Sequence, residues 1–541
     1  MKLAISKIKR NRTLLFIIVL MIISVLLKCY RFGAIPFGTH LDETGSAYDA
    51  WCIANFGADR YGIRYPVYFI NFGGGQSALL TYMIALNIKI AGFSIMAIRL
   101  PMLFSSVLLL SFGTLIIHSI WDDISSVKCE YAEICYIVLY MTSPYVFMSA
   151  RWSLDCNLFL GFSTVFLYFV ILAYKKNKTW AYFAAGIIGG ITLYTYALSY
   201  VIIPVFLILI LLMAIKNHRI ILRNFLVMLI PLLLISFPLI LEQYINIVGK
   251  ESILLLGHFT VTKLPNYRGS EFTLTNIPQN FVLLLKAILF HDDYDYNALP
   301  EFLTFYKISI ALFAIGLVVF ITKIISDIRK KTNREYFVIF IWFVCNVIVY
   351  CMLGKNGDSG HNPNTNKVNG IFYAVMFIIV IGTAAVTHVF KKKIWVKASS
   401  IAIASYFLIC FGMFANYYFN EYQPSSLWGS FYDGAVKRIN NDEALFAKTT
   451  FTSANYIYYL VASKNIAVWP ITYSEEQEFG IGNYLTGVIN MPQYIEEYGY
   501  GANYIIPKND TAYLDLLNKY DNGNADWTIE QYGDNYLYYY E

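Results

Sequence analysis

Apolar runs long enough to cross a bilayer recur along most of the first 420 residues of this chain. They lie at about 14–29, 99–120, 131–149, 156–174, 180–196, 200–215, 224–241, 303–326, 335–353, 368–389 and 397–419. A membrane-spanning helix needs about 20 apolar residues, and helices satisfy their own backbone groups inside lipid. With 57% hydrophobic and 14% charged residues, the sequence predicts a polytopic α-helical membrane protein with about 11 spans.

Charge divides the chain into two parts. From Asn420 onward 16 acidic residues accompany 6 basic ones, although the whole chain has a net charge of +6. In this tail, short Tyr-rich or β-branched runs alternate with helix-like stretches, which is typical of a small α/β domain. We therefore predict a transmembrane domain at residues 1–419 and a soluble α/β domain at residues 420–541.

The basic clusters between spans predict the orientation of the chain. A further apolar stretch, Gln76–Gly92, decides on which side every later loop lies. If it rests on the outer surface, four clusters join the basic N-terminus in the cytoplasm; these are Lys175-Lys176-Lys178, Lys216-Arg219-Arg223, Arg329-Lys330-Lys331-Arg334 and Lys391-Lys392-Lys393-Lys397. This arrangement obeys the positive-inside rule. We therefore expect interfacial helices in the first external loop, another at about Pro278–Phe290, and the C-terminal domain outside the cytoplasmic membrane.

Two adjacent carboxylates, Asp42 and Glu43, follow the first apolar run in polar sequence. Glycosyl transfer needs a base that removes a proton from the acceptor hydroxyl, and a group that holds the departing phosphate. Either carboxylate could be that base. The structural alternative is that Asp42 is the N-cap of a helix from Glu43 to Ala54, and both interpretations can hold together.

Two further groups lie at predicted outer ends of spans. Arg151 and Asp155 are charges at a membrane boundary, which need partners or solvent; the structural alternative is an i, i+4 ion pair that caps a helix. The polar loop from Gly354 to Asn369 contains His361 and Lys367, and Lys367 could bind a lipid phosphate. The alternative for this loop is a solvated connection.

Cysteine and histidine patterns give no reason to expect a metal or a disulfide framework. The eight cysteines lie mostly in or beside apolar runs and form no CxxC pair. The histidines show no HxxxH or similar spacing. We therefore expect no metal, no cofactor and no nucleic-acid partner.

Several motifs, taken together, resemble the bacterial members of the GT-C superfamily of membrane glycosyltransferases, relatives of the protein O-mannosyltransferases and the lipid A aminoarabinose transferase. The resemblance covers roughly residues 30 to 380. Order and spacing of the motifs make it specific. The matching residues are Leu41-Asp42-Glu43, Gly75 to Tyr82, Ile98-Arg99-Leu100-Pro101, Ser143-Pro144, Ser149-Ala150-Arg151 with Asp155, Leu193-Tyr194-Thr195-Tyr196 and Asn366-Lys367-Val368-Asn369.

This resemblance implies an enzyme that moves a sugar from a polyprenyl-phosphate donor to a glycan, lipid or protein acceptor of the cell envelope by an inverting displacement. It implies that Asp42 is the general base and that Glu43 assists in positioning the acceptor. The substrate-binding residues would be Arg151, Asp155, His40, Tyr194, Tyr196, Lys367 and Asn369. Lys367 stands where relatives often carry Arg, and it would act as a point charge on the phosphate.

Two other functions fit a chain of this class. A polytopic transporter or lipid flippase would move its substrate without breaking a bond, and it would favour repeated groups of spans with charges at mid-membrane depth. A glycan polymerase or ligase would share the membrane architecture but use a lipid-diphosphate donor.

Overall fold

A computed structural model of the chain describes residues 2–71, 74–216, 222–267, 272, 274–290, 296–332, 334–354, 364–390 and 392–422. In the tail it describes residues 444–447, 462, 470, 479–481, 484–486, 491–499, 502–507, 512, 515–517, 527–532 and 535–540. The chain separates into two compact units. The helical unit comprises Met1–Phe32, Pro101–Ile240 and Arg268–Tyr422, and the second unit comprises Gly33–Leu100, Leu241–Tyr267 and Gln423–Glu541.

Helices dominate the described residues before position 421. They are α1 (Lys2–Cys29), α2 (Leu41–Phe56), α3 (Ala78–Ala91), α4 (Ile95–Ile124), α5 (Cys129–Thr142), α6 (Pro144–Ser149), α7 (Asp155–Lys176), α8 (Thr179–Leu193), α9 (Ser199–Lys216), α10 (Leu222–Val248), α11 (Ile277–Leu289), α12 (Ile308–Arg329), α13 (Phe337–Cys351), α14 (Phe372–His388) and α15 (Lys393–Asn420). Two short hairpins accompany them: β1 (Tyr68–Asn71) with β2 (Gly74–Ser77), and β3 (Ile253–Leu255) with β4 (Phe259–Val261).

Ten of the eleven predicted spans each coincide with one helix, and the remaining one is divided between two helices. Seven helices in the described part are long and apolar enough to cross a membrane: Arg12–Cys29, Ile95–Ile124, Asp155–Lys176, Arg223–Val248, Ile308–Arg329, Asn369–His388 and Lys393–Asn420. Three other spans are the shorter helices α8, α9 and α13. The run 131–149 is interrupted at Ser143, because Pro144 begins a new helix and the Ser143 hydroxyl accepts the Val146 N–H.

The two predicted interfacial segments form short helices. At 1.5 Å per residue, the 14 residues of α3 reach about 21 Å and the 13 residues of α11 about 20 Å, short of a hydrocarbon core of about 30 Å. In α3 the Asn87 amide donates to the Ala97 carbonyl at 3.0 Å, while Lys89 is exposed. Both segments are therefore separate short helices, and their placement at the membrane surface stays a prediction.

Two glycines allow α12 and α14 to approach each other closely. A Cβ added to Gly382 of α14 would lie 1.9 Å from the Leu312 carbonyl oxygen of α12, and one added to Gly316 of α12 would lie 2.0 Å from the Ile378 oxygen. Small residues let helix backbones touch where lipid gives little driving force for association. The α12–α14 crossing therefore depends on the absence of both side chains.

The described part of the tail contains a six-stranded sheet with the order β6-β7-β5-β8-β10-β9. The strands are β5 (Ala444–Ala447), β6 (Phe479–Ile481), β7 (Tyr484–Thr486), β8 (Ala502–Pro507), β9 (Trp527–Tyr532) and β10 (Asn535–Tyr540), and α16 (Met491–Tyr498) precedes β8. Strand β5 is parallel to β7 and β8, and the other pairs are antiparallel. Tyr504 and Ile506 alternate into a core with Phe446, whose ring stacks on Tyr494 at 4.6 Å.

The α/β character predicted for the tail is therefore confirmed. The domain boundary at residue 420 stays a prediction. Helix α15 ends at Asn420, and the second unit joins the tail with residues 33–100 and 241–267.

Candidate functional site

In the second unit, helix α2 carries the adjacent carboxylates in its first turn. The helix begins at Leu41 and its N-cap is His40, whose Nδ1 accepts the Asp42 N–H at 3.0 Å. Glu43 closes a capping box by accepting the His40 N–H at 3.2 Å. The interpretation of Asp42 as the N-cap is therefore wrong, because the imidazole nitrogen occupies the position where an Asp oxygen would act.

His40 is buried and its imidazole is held neutral. Burial lowers the pKa of His40 below its usual value of 6.5, and this effect outweighs the opposing pull of the Asp42 and Glu43 carboxylates. Since Nδ1 accepts a hydrogen bond, the ring proton lies on Nε2. His40 therefore adds no positive charge beside Asp42, although its Nδ1 lies 3.7 Å from an Asp42 oxygen.

Glu43 forms a fully buried ion pair with Arg99. Arg99 Nε donates to Glu43 Oε1 at 2.9 Å and its Nη2 to Oε2 at 3.0 Å, and neither side chain is exposed. The same guanidinium donates to the carbonyls of Pro36 at 2.9 Å and Gly38 at 2.6 Å. Arg99 thereby ties the loop before α2 to the start of α4, and Glu43 is committed to that connection.

Asp42 has a different environment from Glu43. Its side chain is 42% exposed. Its Oδ1 accepts from the Asn71 amide at 3.2 Å, and the Gln76 amide donates to its backbone carbonyl at 3.5 Å. Asn71 and Gln76 belong to the β1–β2 hairpin, so the hairpin orients the carboxylate with neutral donors. Among the described residues no lysine or arginine pairs with Asp42.

A second buried ion pair holds the middle of α2. Arg60 donates to both oxygens of Asp49 at 2.9 and 2.8 Å, and to the Gly45 carbonyl at 2.7 Å. Asp59 accepts the N–H groups of Tyr61 and Ile63. Burial, together with the charge of Asp49, raises the pKa of Asp59 to about 8. The second and third turns of α2 are therefore held by a buried arginine of the same unit.

In the helical unit, Arg151 caps the end of α1. Its guanidinium donates to the carbonyls of Lys28, Tyr30 and Arg31 at 2.8, 3.0 and 2.9 Å, and the side chain is fully buried. Four aromatic rings lie around it, with centroids 5.3–5.8 Å away: Phe32, Phe147, Tyr418 and Phe419. Lys28 lies in the last turn of α1, where carbonyls lack partners within the helix, and Tyr30 and Arg31 follow the helix directly, so Arg151 holds the end of α1 in place.

Asp155 lies outside any helical i, i+4 relation with Arg151, because α7 begins at Asp155 itself. Its Oδ1 accepts the Cys156 N–H at 2.8 Å, a favourable place for a carboxylate at a helix N-terminus. The ion pair with Arg151, which lies in the turn before α7, stays a prediction. Beside Asp155, Trp152, Leu154 and Cys156 pack with Tyr296, and Tyr196 joins this cluster.

A chain of amides connects α7 to the late loop. Asn297 Nδ2 donates to Asn157 Oδ1 at 2.9 Å and to Asn366 Oδ1 at 3.0 Å. Asn369 Nδ2 donates to the Asn366 carbonyl at 2.7 Å, and its Oδ1 accepts from the Tyr145 hydroxyl. Asn157, Asn297 and Asn369 are buried. Asn369 therefore belongs to a fixed polar network within this unit.

Lys367 lies in a tight turn of the same loop. Its N–H donates to both the side-chain and the backbone oxygen of Asn364, each at 3.0 Å, and Lys367 is half-buried. His361 and the rest of residues 355–363 lie outside the described residues. Tyr194, predicted beside Tyr196, instead donates from its hydroxyl to the Ile235 carbonyl of α10 at 2.8 Å.

The structure brings the predicted residues together in two groups, one in each unit, whereas Arg151, Tyr194 and Lys367 each make separate contacts. His40, Asp42 and Glu43 share the first turn of α2 in the second unit. In the helical unit, Tyr196 packs on the residues flanking Asp155, and the amide chain leads from there to Asn369. The sequence did not indicate Asn71, Asn157 or Asn297, because a lone Asn carries no spacing signal whether it lies in a strand, a helix or a loop.

Comparison with solved structures places this architecture among known folds. The crystal structure of ArnT from Cupriavidus metallidurans in the apo state matches with a TM-score of 0.60 at 9% identity over 98% of both chains. ArnT bound to undecaprenyl phosphate matches with a TM-score of 0.57 at 9% identity over 97% of both chains. The oligosaccharyltransferase AglB from Archaeoglobus fulgidus, in complex with an inhibitory peptide and a dolichol-phosphate, matches with a TM-score of 0.53 at 11% identity. The match covers 98% of this chain and 74% of the AglB chain.

No protein-family model matches the sequence, and a search of curated proteins finds no match. The assignment therefore rests on architecture, which covers nearly the whole chain and agrees with the motifs between residues 30 and 380. ArnT, the lipid A aminoarabinose transferase, and AglB are both GT-C proteins. This chain is a polytopic membrane protein with the GT-C fold.

Proposed function

We propose that this protein is a membrane glycosyltransferase that takes a sugar from a polyprenyl-phosphate donor and adds it to a cell-envelope acceptor on the extracytoplasmic face. The observation that carries the proposal is the half-exposed Asp42 carboxylate, oriented by Asn71 at the start of a helix that two buried ion pairs hold in place. The fold supports it: one matching ArnT structure contains undecaprenyl phosphate, and the AglB structure contains a dolichol-phosphate.

In this mechanism Asp42 acts as the general base. Its carboxylate takes the proton from the acceptor hydroxyl, whose oxygen forms the new bond to the anomeric carbon of the sugar. The bond from that carbon to the phosphate oxygen breaks, and its electron pair leaves with the lipid phosphate. Attack opposite the leaving group inverts the anomeric centre.

Glu43 has a positioning role in this proposal. Both of its oxygens are engaged by Arg99, and one also accepts the His40 N–H. A carboxylate held in this way fixes α2 relative to the preceding loop. It thereby fixes the position of its neighbour Asp42. The sequence expectation of two catalytic carboxylates thus becomes a proposal of one base and one anchor.

The departing phosphate needs a cation or hydrogen-bond donors. We assign Lys367 this task, because its backbone is fixed by Asn364 and its ammonium is a compact charge suited to phosphate. Tyr196 and the flank of Asp155 are assigned to substrate contact. Arg151 and Asn369 are assigned to structure, since both are buried and their polar groups are occupied.

The test is complementation of a deletion strain, with polyprenyl-linked sugars measured by mass spectrometry of extracted lipids. We expect sugar-loaded carrier to accumulate in the deletion and to be cleared by the natural protein. Asp42→Asn should slow transfer by about 10²–10⁴-fold, the usual contribution of a general base. The matched control is Glu251→Gln, which removes an exposed carboxylate of the same unit that pairs with Lys263.

Normal clearance by Asp42→Asn, at equal amounts of inserted protein, would overturn the assigned base. The identity of the accumulated lipid separates the donor classes, because a polymerase or ligase would leave a lipid diphosphate. An assay with the purified protein in lipid vesicles distinguishes a transporter from a transferase. Sugar-lipid that crosses the bilayer intact, with no glycosidic bond broken, would refute a transferase.

A further inference from the structure

A cluster of three metal-binding side chains lies where α4 ends and α5 begins, in the helical unit. His118 is near the end of α4, and Cys129 and Glu133 occupy the first two turns of α5. His118 Nδ1 lies 2.7 Å from Glu133 Oε1, and Cys129 Sγ lies 3.7 Å from the same oxygen. One donor atom of each residue lies within 4.8 Å of the others.

The local sequence explains why the three side chains converge. Cys129 and Glu133 are four residues apart on one helix and therefore share a face. The short turn between α4 and α5 reverses the chain, and the Trp121 indole donates to the Val127 carbonyl at 2.8 Å across that turn. His118 is thereby brought against the face that carries Cys129 and Glu133.

The charges around the cluster call for a cation. Glu133 is only 7% exposed, and its carboxylate contacts His118, which is a cation only when protonated, and Cys129; among the described residues no lysine or arginine pairs with it. Asp122 and Glu130 add negative charge close to Cys129. In contrast, the nearby Asp123 is paired with Arg334 at 2.9 Å. A buried carboxylate is costly unless something neutralises it, and either a protonated His118 or a bound metal ion would do so here.

The donor set matches the preferences of zinc. Zn²⁺ binds thiolate sulfur at about 2.3 Å and imidazole nitrogen or carboxylate oxygen at about 2.0–2.2 Å, so neighbouring donors in a tetrahedron lie roughly 3.4–3.7 Å apart. The Cys129–Glu133 separation of 3.7 Å already fits that range. The separation of 2.7 Å between His118 Nδ1 and Glu133 Oε1 would have to increase by less than about 1 Å to admit the ion. The His118 side chain is 69% exposed and can move by that amount.

We propose that His118, Cys129 and Glu133 bind one Zn²⁺ ion, with water as the fourth ligand. The ion would join the end of α4 to the start of α5 and neutralise the buried Glu133. This site is independent of the proposed glycosyl transfer, because none of its three residues belongs to the groups assigned to that reaction.

The test uses the purified full-length protein in lipid nanodiscs, stripped with a chelator and titrated with Co²⁺ alone, then with competing Zn²⁺. We expect one equivalent of Co²⁺ with a thiolate-to-cobalt charge-transfer band in the near ultraviolet, displaced by one equivalent of Zn²⁺. Cys129→Ser should abolish the band, and Glu133→Gln should weaken binding at least tenfold. Cys135→Ser, which removes another thiol of α5 outside the cluster, is the matched control and should leave the titration unchanged.

Absence of the charge-transfer band in the natural protein, or its persistence in Cys129→Ser, would overturn the proposal. If Cys129→Ser does not yield monodisperse protein, His118→Ala decides the question, because it alters an exposed side chain. Unchanged Co²⁺ affinity in that variant would show that the His118–Glu133 contact is a simple hydrogen bond and that no zinc site exists.

Discussion

The Glu43–Arg99 ion pair offers a sharp test of how the base is held. In Arg99→Met, the buried Glu43 carboxylate loses two hydrogen bonds of 2.9 and 3.0 Å, and the carbonyls of Pro36 and Gly38 lose their donor. Removing one partner of a buried pair costs about 3–5 kcal/mol, mostly because the other charge remains buried and uncompensated. The second variant combines Arg99→Met with Glu43→Gln and so removes that charge. Its free energy of unfolding should be roughly 1–3 kcal/mol higher than that of Arg99→Met alone.

The assay is thermal unfolding of both variants, of Glu43→Gln and of the natural protein, purified in the same nanodiscs. The expected order of unfolding midpoints places the double variant above Arg99→Met. Arg64→Met is the matched control, since it truncates an exposed arginine of the same unit, and its midpoint should match that of the natural protein. If the two single effects simply add in the double variant, the buried-charge argument fails.

Two further perturbations test other features of the molecule. Gly382→Ala should destabilise the protein by about 1–3 kcal/mol through overpacking of the α12–α14 crossing, whereas Gly412→Ala, with no described heavy atom within 4 Å of its added Cβ, should be neutral or slightly stabilising; equal unfolding midpoints would contradict the crossing. His40→Asn should keep a side chain that can cap α2, and it should remove the contribution of His40 to the loss of stability at low pH. Because the folded-state pKa of His40 is lowered, the natural protein loses stability as pH falls below about 6.5, the unfolded value. The midpoint of His40→Asn minus that of the natural protein should therefore rise from pH 7.5 to pH 5, and a difference independent of pH would refute the neutral histidine.

Much of the fold was predictable because hydropathy is a local property. Ten of the eleven apolar runs each became one helix, 131–149 became two, and Gln76–Gly92 yielded a 14-residue helix too short to span. What the pattern could not predict was pairing. Gly316 and Gly382 look like ordinary glycines in apolar sequence, and only their contact shows that two backbones meet there.

The site was predictable in outline, and the individual roles were not. Capping preferences favour Asp over His, yet α2 begins at Leu41, so His40 occupies the N-cap and Asp42 lies inside the first turn. Glu43 and Arg99 are 56 residues apart, so their ion pair is a tertiary contact that local sequence cannot predict. The cluster of His118, Cys129 and Glu133 forms across a turn between two helices, where no short metal-binding motif could signal it.

The contact between Arg151 and the end of α1 has a consequence for how the chain is made. The carbonyls of Lys28, Tyr30 and Arg31 receive their donor from a residue 120–123 positions later. At a synthesis rate of 5–20 residues per second, roughly 6–24 s pass before that arginine leaves the ribosome. During biogenesis the C-terminal end of the first span therefore lacks these hydrogen bonds at first. It reaches its final position only after a segment that is translated several helices later has been made.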